Sequence, residues 1–140
     1  MMDQPDNTQV PPPLPNHPKK ILLVEDDNNL AQVYESRLTT EGFDVKRVAD
    51  GEAALAGATE FKPNLILLDV MMPKVSGFDV LDILRNTPET TNTKIIILSA
   101  RGQDSDKQHA AQLGVDDYLV KSQVVMDDIV TRIKQQLESN

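Results

Sequence analysis

The chain has 140 residues, the length of one domain, and 14 Lys and Arg against 22 Asp and Glu give it a net charge of −8. The negative net charge argues against nucleic-acid binding, because phosphate backbones repel an acidic protein. The lack of Cys excludes disulfides and thiolate zinc sites. No apolar run approaches the roughly 20 residues of a membrane helix, and the N-terminus lacks the basic flank and apolar centre of a secretory signal, so we expect a cytoplasmic protein.

Residues 1–18 differ in composition from the rest of the chain. Six of the nine prolines lie there, among Asp, Asn, Gln and Thr. Such a segment has too few large apolar groups to offset its ordering entropy, and the stretch PPPLP favours polyproline II. We therefore predict a disordered tail at residues 1–18, with a ligand for a proline-recognising domain as the alternative, and one folded domain at residues 19–140.

From residue 20 onward, apolar runs alternate with helix-like segments. The continuous runs at residues 21–24, 65–68 and 95–98 are typical of strands buried on both faces, and residues 44–48 and 118–120 are shorter β-prone stretches. Five strands that alternate with five helical segments predict an α/β fold with a parallel sheet and right-handed crossovers.

The helical segments between the strands follow from periodicity and from their end signals. The first has one apolar face at Leu30, Val33, Tyr34 and Leu38 and stops near Gly42. Small residues fill the second at 51–60, apolar residues mark the third at 78–84, and the fourth spans 104–113. The fifth has apolar residues four apart that we expect to face the core, at Val125, Ile129, Ile133 and Leu137.

Polar side chains follow four of the strands, at the sheet edge where ligands bind in open α/β folds. Acids follow the first and third strands, a hydroxyl follows the fourth and an ammonium follows the fifth: Glu25, Asp26, Asp69, Ser99 and Lys121. Adjacent carboxylates could hold Mg²⁺, and one of them could attack phosphorus to form an aspartyl phosphate. Singly, each residue is better explained as a helix cap or loop residue, but the combination favours phosphoryl capture.

Four runs carry a resemblance to a known family: ILLVEDD at 21–27, LILLDVMMPKVSGFDVL at 65–81, IIILSA at 95–100 and DDYLVKS at 116–122. Together they resemble receiver domains of two-component response regulators, including the stand-alone regulators of chemotaxis. The resemblance implies a flavodoxin-like (βα)5 three-layer sandwich with the parallel strand order 2-1-3-4-5.

The resemblance also assigns roles to residues at matching positions. It implies that Asp69 accepts the phosphoryl group, beside the acidic pair Glu25 and Asp26, and that Lys121 binds the phosphate. The implied cofactor is Mg²⁺, held by Asp26, Asp69 and the backbone carbonyl of Met71. The implied conformational switch consists of Ser99 and Tyr118.

The sequence departs from the family pattern at three places. Ser122 replaces the Pro that usually follows the lysine, and because a non-proline cis bond costs ~3 kcal/mol, we expect either a trans peptide with an adjusted loop or local strain. Ser76 stands where Asp often precedes the loop glycine. Met71 and Arg101 occupy positions that tune hydrolysis in the family, and since Met71 offers no hydrogen bond to water, we hypothesise a long-lived phosphoaspartate.

The function that the resemblance implies is that of a single-domain response regulator. A histidine kinase or phosphotransfer protein would phosphorylate Asp69, and the switch would alter a protein-binding face formed by the fourth helix, fifth strand and fifth helix. The domain would catalyse only its own phosphoryl transfer and autodephosphorylation, as a monomer or a weak phosphorylation-dependent dimer. The alternatives are a receiver excised from a hybrid kinase, an unphosphorylated binding module, and a Mg²⁺-dependent phosphohydrolase, which would need a second carboxylate where Met71 stands.

Overall fold

The computed structural model describes residues 18–139, so the predicted disordered tail lies, apart from residue 18, outside the described residues. Five strands alternate with five α-helices. The strands are β1 (Lys20–Val24), β2 (Asp44–Val48), β3 (Leu65–Leu68), β4 (Lys94–Ser99) and β5 (Asp117–Val120). The helices are α1 (Asn28–Thr40), α2 (Gly51–Glu60), α3 (Gly77–Arg85), α4 (Asp104–Gln112) and α5 (Met126–Glu138), and a 3₁₀ turn at Lys121–Gln123 follows β5.

All five strands form one parallel sheet with the order β2-β1-β3-β4-β5, which confirms the predicted topology. Val24 at the end of β1 pairs with Leu68 at the end of β3, so the residues that follow these two strands emerge side by side. Further along the strand order, Ser99 at the end of β4 pairs with Val120 at the end of β5. The register therefore brings the carboxyl ends of β1, β3, β4 and β5 to a common edge.

Helices cover both faces of the sheet and make the predicted three-layer sandwich. The apolar core on one face includes α2, α3 and α4, and the core on the other face includes α1 and α5. The small residues of α2 let that helix approach the sheet closely: a Cβ at Gly57 would lie 3.1 Å from Leu22 Cδ1 of β1. No helix between residues 18 and 139 is long and apolar enough to span a bilayer.

Two residues predicted on buried helix faces are exposed instead. Val33 is 54% exposed, because the buried face of α1 is formed by Ala31, Tyr34 and Leu38 and turns Val33 toward solvent. Val125 is 65% exposed, because it precedes the first residue of α5 and so stands outside the helical stripe. The prediction was therefore wrong at these two positions, whereas the rest of both apolar faces packs on the sheet.

Candidate functional site at the carboxyl edge of the sheet

Three acidic residues meet where β1 and β3 end. Backbone hydrogen bonds from Glu25 N to Val48 O (3.1 Å) and from Asp69 N to Val24 O (3.2 Å) extend the strand pairing into the site. Carboxylate oxygens of Glu25, Asp26 and Asp69 all lie within 4.8 Å of one another. Glu25 and Asp69 are buried and Asp26 is exposed, so the cluster opens to solvent on one side.

Lys121, which directly follows the edge strand β5, reaches this cluster with its side chain. Its Nζ donates to Glu25 Oε1 at 2.8 Å and to Asp69 Oδ2 at 3.0 Å. The Lys121–Ser122 peptide is trans, and a 3₁₀ turn begins at Lys121, which agrees with the first of the two expected alternatives, a trans peptide with an adjusted loop. The departure at Ser122 therefore does not prevent the ammonium from reaching the carboxylates.

Burial and ion pairing act against each other in this cluster. Burial raises the pKa of Glu25 above its usual 4.5, although hydrogen bonds from Lys121 and from the Asp27 N–H partly oppose the shift. Burial lowers the pKa of Lys121, but the hydrogen bonds to Glu25 and Asp69 outweigh this effect and the net shift is upward. Lys121 is therefore held as a cation between two carboxylates.

The loop after β3 holds the Asp69 carboxylate through a backbone hydrogen bond. Asp69 Oδ1 accepts from Met71 N at 2.9 Å, and Met71 as a whole residue is 52% exposed. Gly77 packs directly beneath, since a Cβ there would lie 2.4 Å from both Asp69 O and Val70 Cα. Ser76, the second departure from the family pattern, caps α3 by accepting from Phe78 N at 3.1 Å. The loop therefore needs glycine at position 77.

Ser99 and Tyr118, the two predicted switch residues, are bound to the same residue. The Ser99 Oγ, fully buried, accepts from Arg101 N at 3.1 Å. The Tyr118 hydroxyl donates to Arg101 O at 2.7 Å. Partial burial, followed by the negative charge of Asp106, raises the pKa of the Tyr118 phenol, so it remains a donor. The loop between β4 and α4 thus links both residues.

Comparison with known proteins identifies the family. The sequence pattern of the response regulator receiver domain matches residues 21–134. The chain belongs to the response regulator receiver domain family. Receiver domains are signalling modules that interact with histidine kinases or phosphotransfer proteins, and in general they are not enzymes. The predicted family is therefore confirmed.

Curated relatives of this receiver domain are longer proteins. Transcriptional regulatory protein CpxR of Escherichia coli is 46% identical over 102 residues, which cover 73% of this chain and 42% of CpxR. Phosphate regulon regulator PhoB of Rhizobium meliloti is 37% identical over 118 residues, which cover 84% of this chain and 52% of PhoB. The chain thus spans about half or less of these relatives.

Solved structures share the fold of this receiver domain. The receiver domain of Francisella response regulator 1452 superposes with a TM-score of 0.80 at 32% identity, over 86% of this chain and 97% of that one. The receiver domain of sensor histidine kinase PA1611 from Pseudomonas aeruginosa, described with a magnesium ion in its active-site cleft, gives 0.80 at 29% identity, over 87% and 99%.

The donor set of the receiver domain fits a hard divalent cation. Carboxylate oxygens are the ligands that Mg²⁺ prefers, and the cluster holds three carboxylates for the one ammonium of Lys121. The carboxylate of Asp26 is exposed and makes no hydrogen bond within residues 18–139, so it is available as a ligand. The side chain of Asp27, in contrast, caps α1 by accepting from Leu30 N at 3.0 Å, and Asp27 is not part of the cluster.

The contacts of three charged residues near the site escaped prediction from sequence. Arg47 donates from Nε and Nη2 to the carbonyl of Glu25 at 2.9 and 2.7 Å. Arg101, which the resemblance placed at a position that tunes hydrolysis, pairs at 2.7 Å with Asp106, whose side chain is 6% exposed. No periodicity signals either contact, although an acid at the first turn of a helix, as Asp106 is, marks a favourable position for negative charge.

The ring of Phe78 contacts two residues near the start and the end of the segment formed by the β4–α4 loop and α4. His109 is exposed on α4, and its ring lies 4.6 Å from that of Phe78. The Arg101 guanidinium lies 5.9 Å from the same ring. The aromatic ring of Phe78 therefore bridges the β4–α4 loop and helix α4.

Proposed function

We propose that this receiver domain accepts a phosphoryl group on Asp69 from the phosphohistidine of a kinase or a phosphotransfer protein. The observation that carries the proposal is the bridge from Lys121 Nζ to both Glu25 and Asp69, next to the exposed carboxylate of Asp26. A buried carboxylate held beside a mobile cation is a suitable nucleophile for phosphorus. The same bridge places an ammonium where phosphoryl oxygens would arrive.

The chemistry follows from the partners of Asp69. An Asp69 oxygen attacks phosphorus, the bond between phosphorus and the donor imidazole nitrogen breaks, and its electron pair stays on the imidazole. Lys121 then exchanges its contact with Asp69 for a phosphoryl oxygen. Asp26, Asp69 and the carbonyl of Met71 would hold Mg²⁺, which when bound offsets the repulsion between carboxylates and phosphate.

A conformational response would follow through Ser99 and Tyr118. Turning a 1:99 equilibrium into 99:1 requires ~5.5 kcal/mol, and a few charge-assisted hydrogen bonds of ~1.5–3 kcal/mol each supply it. Ser99 would leave its bond with Arg101 N for the phosphoryl group, and Tyr118 would occupy the vacated space. The responding surface would be α4, β5 and α5, presented to a protein partner by a cytoplasmic monomer or a weak dimer.

We also propose that the receiver domain acts as a stand-alone regulator. One alternative, a receiver within a phosphorelay, has support of its own. The similarity to the receiver domain of sensor kinase PA1611 favours, as a second candidate, a receiver that passes its phosphoryl group onward in a phosphorelay. The phosphohydrolase alternative is disfavoured, because the required second carboxylate is replaced by Met71, whose side chain is half exposed. Phosphoryl transfer from the labelled domain to a phosphotransfer protein would favour the relay.

The test of the proposed function is intact-mass spectrometry after incubation with acetyl phosphate and MgCl₂. We expect a mass gain of one phosphoryl group that needs the metal and is absent in Asp69→Ala. The matched control is Asp27→Ala, an acid at the same sheet edge that serves as a helix cap, which should retain the gain. A mass gain that survives in Asp69→Ala would refute the assignment of the acceptor.

The lifetime of the phosphoaspartate is a separate part of the proposal. The Met71 side chain extends toward solvent and offers no hydrogen bond that could orient a hydrolytic water. We therefore expect a slowly hydrolysed phosphoaspartate, and Met71→Asn, which introduces an amide at this position, should shorten its lifetime. Decay of the unsubstituted domain within seconds at about 25 °C would contradict this expectation.

A further inference from the structure

Arg47 makes a two-pronged contact with the backbone of the acidic cluster. It lies on β2, the strand at the edge of the sheet, opposite Leu23 of β1. Its guanidinium donates from Nε (2.9 Å) and Nη2 (2.7 Å) to the carbonyl oxygen of Glu25. This planar fork is a geometry that arginine provides and lysine does not. Arg47 is partly buried, which favours a lasting contact over a solvated one.

The carbonyl that Arg47 binds belongs to the peptide that leads into Asp26. Glu25 is fixed on the other side by the hydrogen bond from its N–H to Val48 O at 3.1 Å. The Asp26 carboxylate itself makes no hydrogen bond to any residue in the part of the chain that the structure describes. The position of that carboxylate therefore depends on how the Glu25–Asp26 peptide is oriented.

We propose that Arg47 is a positioning residue that holds the Glu25–Asp26 peptide so that Asp26 is placed to bind a divalent cation. The proposal rests on the proposed function for the use of that cation. Arg47 touches the carbonyl of Glu25 and neither carboxylate, so it acts through the backbone and not as a ligand. Outer partners of this kind commonly change metal affinity by about 10–100-fold when they are removed.

The sign of the change separates positioning from simple charge. Arg47 carries a positive charge close to a cluster that would bind a cation. If it acted only through this charge, its removal would make the cluster more negative and tighten Mg²⁺ binding. If it positions Asp26, its removal weakens Mg²⁺ binding even though the site has become more negative. The two explanations therefore predict changes in opposite directions.

The experiment is a MgCl₂ titration of the ¹⁵N-labelled domain, followed by the amide shifts of the site residues. For Arg47→Ala we expect a Mg²⁺ dissociation constant raised about tenfold. Arg47→Lys keeps the charge but cannot keep both hydrogen bonds to the Glu25 carbonyl oxygen in the geometry of the guanidinium, so it should also weaken binding. The control is Lys46→Ala, which removes one exposed positive charge from the adjacent position of β2 and should leave the affinity unchanged or slightly tighter.

A double-variant cycle tests the route through Asp26. In an Asp26→Asn background, Arg47→Ala should change Mg²⁺ affinity much less than it does with Asp26 present. Equal effects in both backgrounds, or unchanged or tighter binding by Arg47→Ala, would overturn the proposal. If Arg47→Ala does not fold, Arg47→Lys decides by the same criterion. Absence of Mg²⁺ binding to the unsubstituted domain would instead contradict the proposed function.

Discussion

Replacing Lys121 with methionine removes the one ammonium that bridges Glu25 and Asp69. Methionine keeps the length and most of the packing of the side chain but takes away its charge and its donors. Glu25 and Asp69, whose side chains are 3% and 6% exposed, would then lie next to each other and to Asp26 without a bridging cation. We expect Lys121→Met to lower the free energy of unfolding.

The magnitude follows from the two bonds that are lost. The contacts at 2.8 and 3.0 Å are charge-assisted, and each contributes ~1.5–3 kcal/mol. Removing one partner of a buried ion pair costs about 3–5 kcal/mol, and we take the lower end because the Lys121 side chain is 19% exposed and the pair is partly screened. The expected loss is therefore ~3 kcal/mol in metal-free buffer.

Urea unfolding followed by circular dichroism measures this loss, with and without saturating MgCl₂. A divalent cation that binds the folded cluster stabilises it by mass action, and the more negative cluster of Lys121→Met should gain more from Mg²⁺ than the unsubstituted domain does. The matched control is Lys46→Met, an exposed lysine on β2. A metal-free loss within about 0.5 kcal/mol of that control, or a loss that Mg²⁺ leaves unchanged, would refute the reasoning.

Three further predictions concern stability. Burial raises the pKa of Glu25 above 4.5, so the stabilisation that protonated Glu25 gives the fold is complete below pH 4.5 and is lost as the pH rises through the folded-state pKa. Glu25→Gln should remove this pH dependence of the free energy of unfolding, measured by urea titration without metal. Arg101→Ala should lower the free energy of unfolding by ~1–3 kcal/mol, because it leaves the buried carboxylate of Asp106 without its partner. Asp106→Ala should lower it less, because the half-exposed guanidinium of Arg101 can be hydrated; a double-mutant cycle tests this order. Gly77→Ala should cost several times a typical substitution of about 1 kcal/mol, since its Cβ would collide with backbone atoms at 2.4 Å, and equal thermal stability would contradict this.

The fold could be predicted because its strongest signals are local. Three strands are apolar on both faces, which leaves a covered parallel sheet as the consistent arrangement. Asp50 and Pro63 bracket α2 even though that helix is made of small residues, since a side-chain cap and a following proline define its ends. Val33 was misplaced because apolar spacing reports a period and does not show which edge of the stripe meets the sheet. Val125 was misplaced because α5 begins one residue later, at Met126.

The site could be predicted only in part, for a different physical reason. Strand ends lie at one edge of any parallel sheet, so Glu25, Asp69 and Lys121 could be placed at that edge from the residues alone, and the strand order implied by the family resemblance made them neighbours. The fork from Arg47 to the Glu25 carbonyl joins residues 22 apart through an edge strand, and it depends on side-chain reach that no period encodes. The sequence therefore reveals the charged groups that meet at the site, and it does not reveal the contacts, such as that of Arg47, that surround them.

The packing beneath this sheet edge holds three carboxylates close together, although their mutual repulsion is unfavourable. Lys121 pairs with two of the three carboxylates, Glu25 and Asp69, and mutual repulsion opposes the approach of all three. The strands beneath are packed on both faces, with Val24 and Leu68 almost entirely buried, so the core determines where the acids emerge and the repulsion cannot relax by moving them apart. A divalent cation bound at this cluster would offset the repulsion, and the same rigidity that makes the metal-free site unfavourable would keep the three carboxylates in place for the cation.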